Sequence, residues 1–178
     1  GLSRTYLDEM AVTSHERAAA ATAEGLFTEE IVAVGDFNAD QGIRPGSNVE
    51  KLATLPTPFK EGGVVSAGNA SQISDGAAAL LVTTSEKAAE LGLTPIARFH
   101  TGAVAGSDPI MMLTGPIPAT EMVLKRAGLT IDDIGAFEVN EAFASVVGAW
   151  LAETGADPMI TNPNGGAMAI GHPLGASG

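Results

Sequence analysis

Apolar and polar positions alternate along the chain in blocks that read as helix or strand, separated by glycine- and proline-rich loops. Residues 7–24 are alanine-rich and interspersed with charge, which favours helix; Ser3 stands where it can cap the first turn and Gly25 where a helix stops. Residues 30–34 read as a short strand. The stretch 35–63 is crowded with Gly, Pro, Asn and Asp and predicts loop, with one helical turn over 49–54. Residues 64–66 are expected to be extended and 71–76 to form a polar turn. The unbroken apolar run 77–83 reads as a buried strand, and Ser85 caps a helix reaching residue 91 before Gly92. Beyond Thr94 and Pro95 the character changes. Residues 96–104 are β-like, 106–118 are loop, and 119–127 form an amphipathic helix ended by Gly128. A helical turn at 131–134, a strand at 136–139 and a helix at 143–153 follow. Next come a glycine-rich segment and the opening turn of a helix beyond Pro173. Strands alternating with helices predict an α/β layered fold, with a boundary between two structural regions around 72–95.

Composition narrows the function classes. Aromatics make up only 4% of the 178 residues, so a core must be built from Ala, Val, Leu, Ile and Met. The net charge of −12 argues against nucleic acid, whose binding relies on Lys and Arg neutralising phosphate, and against an anionic membrane surface. Cysteine is absent, which excludes disulfides, Cys-type zinc sites and a thiol nucleophile within the chain. Three scattered histidines make no metal cluster. No apolar run approaches the ~20 residues of a membrane span and no signal peptide is visible, so a cytoplasmic protein without membrane insertion is expected.

The chemistry concentrates at the C-terminal end, in residues 162–178, NPNGGAMAIGHPLGASG. His172 sits between Gly171 and Pro173, a turn whose proline fixes φ and helps aim the imidazole. It suits a general base, a hydrogen-bond donor to an oxyanion, a metal ligand, or a structural cap for nearby backbone groups. Asn140 stands at the end of the 136–139 strand, where α/β sheets present ligand-facing side chains. It would either hold a water and donate to a developing charge, or cap the following helix. Arg44 offers a planar fork for phosphate and a face for stacking on a base, unless it is merely a surface arginine. Ser71 would bond an amide-bearing ligand or cap a turn. Met111, Met112 and Phe143 are core residues or the wall of a flexible acyl channel. The glycines match neither a phosphate-binding loop, a dinucleotide fingerprint nor a nucleophile elbow.

Taken together, these segments resemble the thiolase family. Residues 162–178 resemble its signature N-x-x-G-G-x-x-A-x-G-H-P-x-G-x-S-G. VNEAFA at 139–144 resembles its asparagine motif and AGNASQISDGAAA at 67–79 its coenzyme-A loop; TGPIPAT at 114–120 is similar too. The resemblance covers essentially the whole chain, as roughly the second half of a subunit. It implies a layered αβαβα fold, here in part, with 1–72 from a CoA-covering loop domain. Residues 73–95 would be the last strand and helix of the N-terminal half, and 96–178 most of the C-terminal half. It implies reversible Claisen condensation and thiolysis of 3-ketoacyl-CoA with CoA, coenzyme A being a substrate and no cofactor or metal being needed. His172 and Asn140 would be catalytic. Arg44 would lie near the adenine of CoA, Ser71 would contact the pantetheine, and Met112 and Phe143 would line its tunnel. Both family cysteines would lie outside the chain, one upstream of Gly1 and one downstream of Gly178, leaving the chain alone inactive. A homodimer or homotetramer is expected. A β-ketoacyl synthase-like condensing enzyme and a non-catalytic acyl-CoA-binding relative are the competing readings.

Overall fold

A computed structural model describes residues 1–177. Among the described residues six α-helices carry the fold: α1 (Arg4–Ala23), α2 (Val49–Ala53), α3 (Ser85–Glu90), α4 (Pro116–Ala127), α5 (Ala144–Thr154) and α6 (Ala167–Ile170), with a 3-10 turn at Ile131–Asp133. The caps explain the boundaries. The Ser3 hydroxyl accepts from the Tyr6 amide, so α1 begins three residues earlier than its alanine-rich stretch suggests. Thr84, rather than Ser85, caps α3 by accepting from the Lys87 amide. α4 starts at Pro116 because proline needs no amide partner in a first turn, and it ends at Gly128 in the left-handed conformation.

Helix α1 is the organising element. Its buried positions, Leu7, Asp8, Ala11, Ser14, His15, Ala18 and Ala21, recur at helical spacing on one face. That face packs against α2, α5 and α6. Leu7, Ala11, Ala144 and Met168 form the apolar centre, flanked by Leu2, Met10 and Leu52. Gly148 of α5 lets the two helices approach: a Cβ there would lie 2.8 Å from Leu2 Cδ1. α4 rests on α5, where the Trp150 indole donates to Thr120 Oγ1 (2.9 Å) and stands edge-on to Phe137, 5.2 Å between centroids.

The strands expected at 30–34, 77–83, 96–104 and 136–139 do not form ladders among the described residues. Pairing is confined to isolated bridges: Val34 with Phe37, Ala70 with Phe143, and Phe137 with Thr161. A strand exists only with a neighbour to exchange hydrogen bonds, and an apolar run does not supply one. Leu80, Leu81 and Val82, expected to be buried, are exposed, as are Ile73, Ile96, Phe99 and Val104. Among the described residues no helix is long and apolar enough to cross a membrane.

Candidate active site

Residues 137–144 form the spine of the site. The Phe137 amide donates to Ile160 O (2.9 Å) and the Asn162 amide donates back to Phe137 O (2.8 Å). The Asn162 side chain then acts as a further backbone unit: Oδ1 accepts from the Val139 amide (2.7 Å) and Nδ2 donates to Val139 O (2.8 Å). Asn162 adopts φ +49°, a left-handed conformation that asparagine tolerates, and is almost wholly buried. The fork of Arg17 holds the same loop by donating to Thr161 O and Pro158 O, at 2.6 and 3.1 Å.

Past Val139 the chain sends successive side chains to opposite sides, as an extended backbone does. Asn140 is exposed, whereas Glu141 is buried. The Glu141 carboxylate accepts from Ser14 Oγ (2.7 Å), the Met168 amide (3.0 Å) and Asn162 Nδ2 (3.1 Å). One buried charge therefore ties α1, α6 and the 162 loop to the residue next to Asn140. Such a charge is tolerable only because its oxygens are satisfied. Two glycines of the C-terminal segment serve this packing. A Cβ on Gly166 would lie 2.5 Å from the Glu141 carboxyl carbon, and one on Gly165 would lie 2.6 Å from Ser14 O. Their close approach is to protein groups.

His172 follows directly. Its amide donates to Gln72 O (2.8 Å) after Gly171 turns the chain at φ +93°. The imidazole Nε2 stands 3.4 Å from Asn140 Nδ2, and its Nδ1 is buried without a hydrogen-bond partner among the described residues. Asn140 does not cap α5: Phe143 occupies the N-cap position, without a side-chain bond. Beyond Pro173 a single helical turn forms, with Pro173 O accepting from the Ala176 and Ser177 amides. Gly178, the end of the signature, lies outside the described residues.

The other site residues divide. Ser71 and Phe143 lie on paired segments: the Ser71 amide donates to Ala142 O (3.0 Å), Ala70 bridges Phe143, and the Phe143 ring lies edge-on to Phe59 at 6.1 Å. Arg44 is exposed on a loop fixed from beneath, its amide donating to His15 Nδ1 (3.1 Å). His15 is buried, and desolvation followed by the Arg44 charge lowers its pKa below the ordinary imidazole value. Met112 is exposed in a left-handed turn, bonded through its amide to Asp108 O. A cleft of about 410 Å³ opens at Asn140 between α4 and α5, walled by Thr120, Val123, Phe137 and Trp150. Glu138 lies on it, and partial burial followed by the Glu141 charge raises its pKa. Among the described residues, no group of three or more His, Cys, Asp or Glu could hold a metal ion.

Sequence reasoning missed Glu141, Ser14 and Gln72. Ser14 gave no signal, being one polar residue in an alanine-rich helix. Glu141 had one, since the residue after an outward-facing Asn140 on an extended segment must face inward.

Comparison with known proteins identifies the family. The model of the thiolase N-terminal domain matches residues 1–86 and that of the thiolase C-terminal domain matches residues 93–178. The chain belongs to the thiolase family. It is 52% identical over 181 residues to the Steroid 3-ketoacyl-CoA thiolase FadA6 of Mycobacterium tuberculosis, covering 99% of this chain and 44% of that protein. It is 47% identical over 191 residues to the 3-ketoacyl-CoA thiolase FadA of Escherichia coli, covering 100% and 49%. The crystal structure of human mitochondrial 3-ketoacyl-CoA thiolase in complex with CoA superimposes with a TM-score of 0.91 at 38% identity, over 99% of this chain and 46% of that one. The chain thus has part of the thiolase fold and spans about half the length of the curated relatives it matches.

Proposed function

We propose that this chain supplies about half of a thiolase subunit that exchanges acyl groups between CoA thioesters, cleaving or forming a 3-ketoacyl-CoA. The observation that carries the reading is the 3.4 Å approach of Asn140 Nδ2 to His172 Nε2, with the asparagine open to solvent. In thiolysis and in Claisen condensation negative charge gathers on a thioester oxygen. Neutral N–H donors fixed before the reaction stabilise that charge without having to reorganise. His172 would donate from Nε2 to the oxygen and exchange a proton with the nucleophile, and Asn140 would hold the water that completes the hole. The nucleophilic cysteine and the second, proton-moving cysteine lie outside residues 1–178.

Arg44 would meet the adenine end of CoA, Ser71 the pantetheine, and Phe143 with Met112 its channel. Residues 1–72 would belong to the loop domain, 73–95 to the N-terminal half and 96–178 to the C-terminal half. The subunits would assemble as a homodimer or homotetramer in the cytoplasm. The deciding experiment is turnover of a 3-ketoacyl-CoA with CoA by the full-length protein carrying this chain. His172→Ala or Asn140→Ala is expected to lower kcat by about 10²–10³-fold while CoA affinity stays near its starting value. Turnover at the unsubstituted rate in either variant defeats the reading.

A further inference from the structure

Gln72, which accepts from the His172 amide, touches both sides of the turn that presents His172. Helix α6 is four residues long and ends at Ile170, so its last carbonyls lack intrahelical donors. The Gln72 side chain answers them: Nε2 lies 2.9 Å from Met168 O and 3.0 Å from Ala169 O. The same nitrogen lies 2.9 Å from Gly42 O, two residues before Arg44. The main chain of Gln72 completes the grip. Its amide donates to Ala167 O (3.3 Å), and its carbonyl accepts from the His172 amide (2.8 Å) and Ser74 Oγ (3.2 Å). A Cβ on Gly42 would lie 2.9 Å from Nε2 and 2.7 Å from Ala169 O, so the bare backbone at 42 makes room for the amide.

Between the carbonyls that Gln72 caps and the amide that it accepts stands Gly171, at φ +93°. Glycine there permits the turn but does not restrict it to one shape. We propose that Gln72 is a positioning residue: it fixes the Gly171 turn so that the His172 imidazole faces Asn140, and through Gly42 it ties that turn to the loop bearing Arg44. The inference rests on the reading of His172 as catalytic. An uncharged primary amide is well suited to the place. It brings two hydrogens to a cluster of carbonyls on a stem long enough to reach them, and adds no charge beside the imidazole.

The test uses the full-length protein carrying this chain, with Gln72→Met, which keeps length and bulk and removes both donors. Small displacements of a reacting group are costly, so kcat is expected to fall by up to about 10²-fold while KM for the 3-ketoacyl-CoA moves less than about threefold. The acid limb of the kcat/KM pH profile is expected to shift as the imidazole leaves Asn140, a change that helix capping alone would not produce. In the unsubstituted protein the Gln72 side-chain amide protons should exchange with solvent more slowly than those of exposed Asn140. A folded Gln72→Met protein with unchanged kcat and pH profile overturns the inference. If that variant does not fold, exchange at Gln72 as fast as at Asn140 overturns it and slower exchange supports it. Turnover lost in His172→Ala but kept in Gln72→Met defeats this inference alone; turnover kept in His172→Ala defeats the reading of His172 as well.

Discussion

Helix α1 and the stretch 73–104 invert the ordinary relation between polarity and burial. α1 is mixed in character, yet its face holding Asp8, Ser14 and His15 is buried at the centre of the fold. Residues 80–82, Leu-Leu-Val, form one of the most apolar runs in the chain and are exposed, as is Ile96. The difference lies in partners. Asp8 accepts from Arg4 Nε (2.7 Å) and Asn69 Nδ2 (2.8 Å), and Ser14 donates to Glu141. Each buried polar atom named here has a geometric reason to be inside. Residues 73–104 pair with no strand among the described residues, and hydrophobic drive without a surface to cover cannot bury them.

Breaking the polar centre should have the largest effect. Glu141→Leu leaves the Ser14 hydroxyl, the Met168 amide and the Asn162 amide without their acceptor. It is expected to destabilise the fold by about 3–5 kcal/mol, measured by urea unfolding. A loss below about 1 kcal/mol would show that the carboxylate does not organise the centre.

Gly166→Ala tests the same contact from its other side. Its Cβ would press on the Glu141 carboxyl carbon, and a cost of about 1–3 kcal/mol is expected in the same assay.

His15 provides a milder test through pH. Its folded pKa lies below its unfolded one, so between the two the unfolded chain binds more protons. Its contribution is therefore complete above the unfolded imidazole value of about 6.5 and is lost as pH falls toward the folded value. His15→Gln should flatten the pH dependence of stability across that window, read from melting curves. An unchanged slope would remove His15 as the source.

The smallest effect is expected in the other region. Leu80→Ser should change the stability of residues 1–178 by no more than about 0.5 kcal/mol. The same substitution in the full-length protein is the sharper comparison. A loss of about 2 kcal/mol or more there would mean that further chain covers this run.

Much of the helical skeleton was legible in the sequence because its signals are local. Ser3 and Gly128 mark ends by their own conformational preferences. His172 and Asn140 could be picked out from Gly171, Pro173 and the strand-like residues before Asn140. The residues that bring the two together could not. Asn162 pairs with Val139 and Glu141 across the fold, and Gln72 joins Gly42, Met168 and His172, at separations that no periodicity encodes.

By itself the sequence determined helix ends such as those at Ser3 and Gly128, which family the motifs resemble, and which imidazole and carboxamide to watch, since each depends on neighbours along the chain. Only the tertiary structure decided that a mixed helix lies at the centre and that Gly165 and Gly166 are bare to admit Ser14 and Glu141. It also decided that the apolar runs find no partner strand among the described residues. Burial, close approach and strand pairing each require a second surface, and which surface meets which is settled only when the chain has folded.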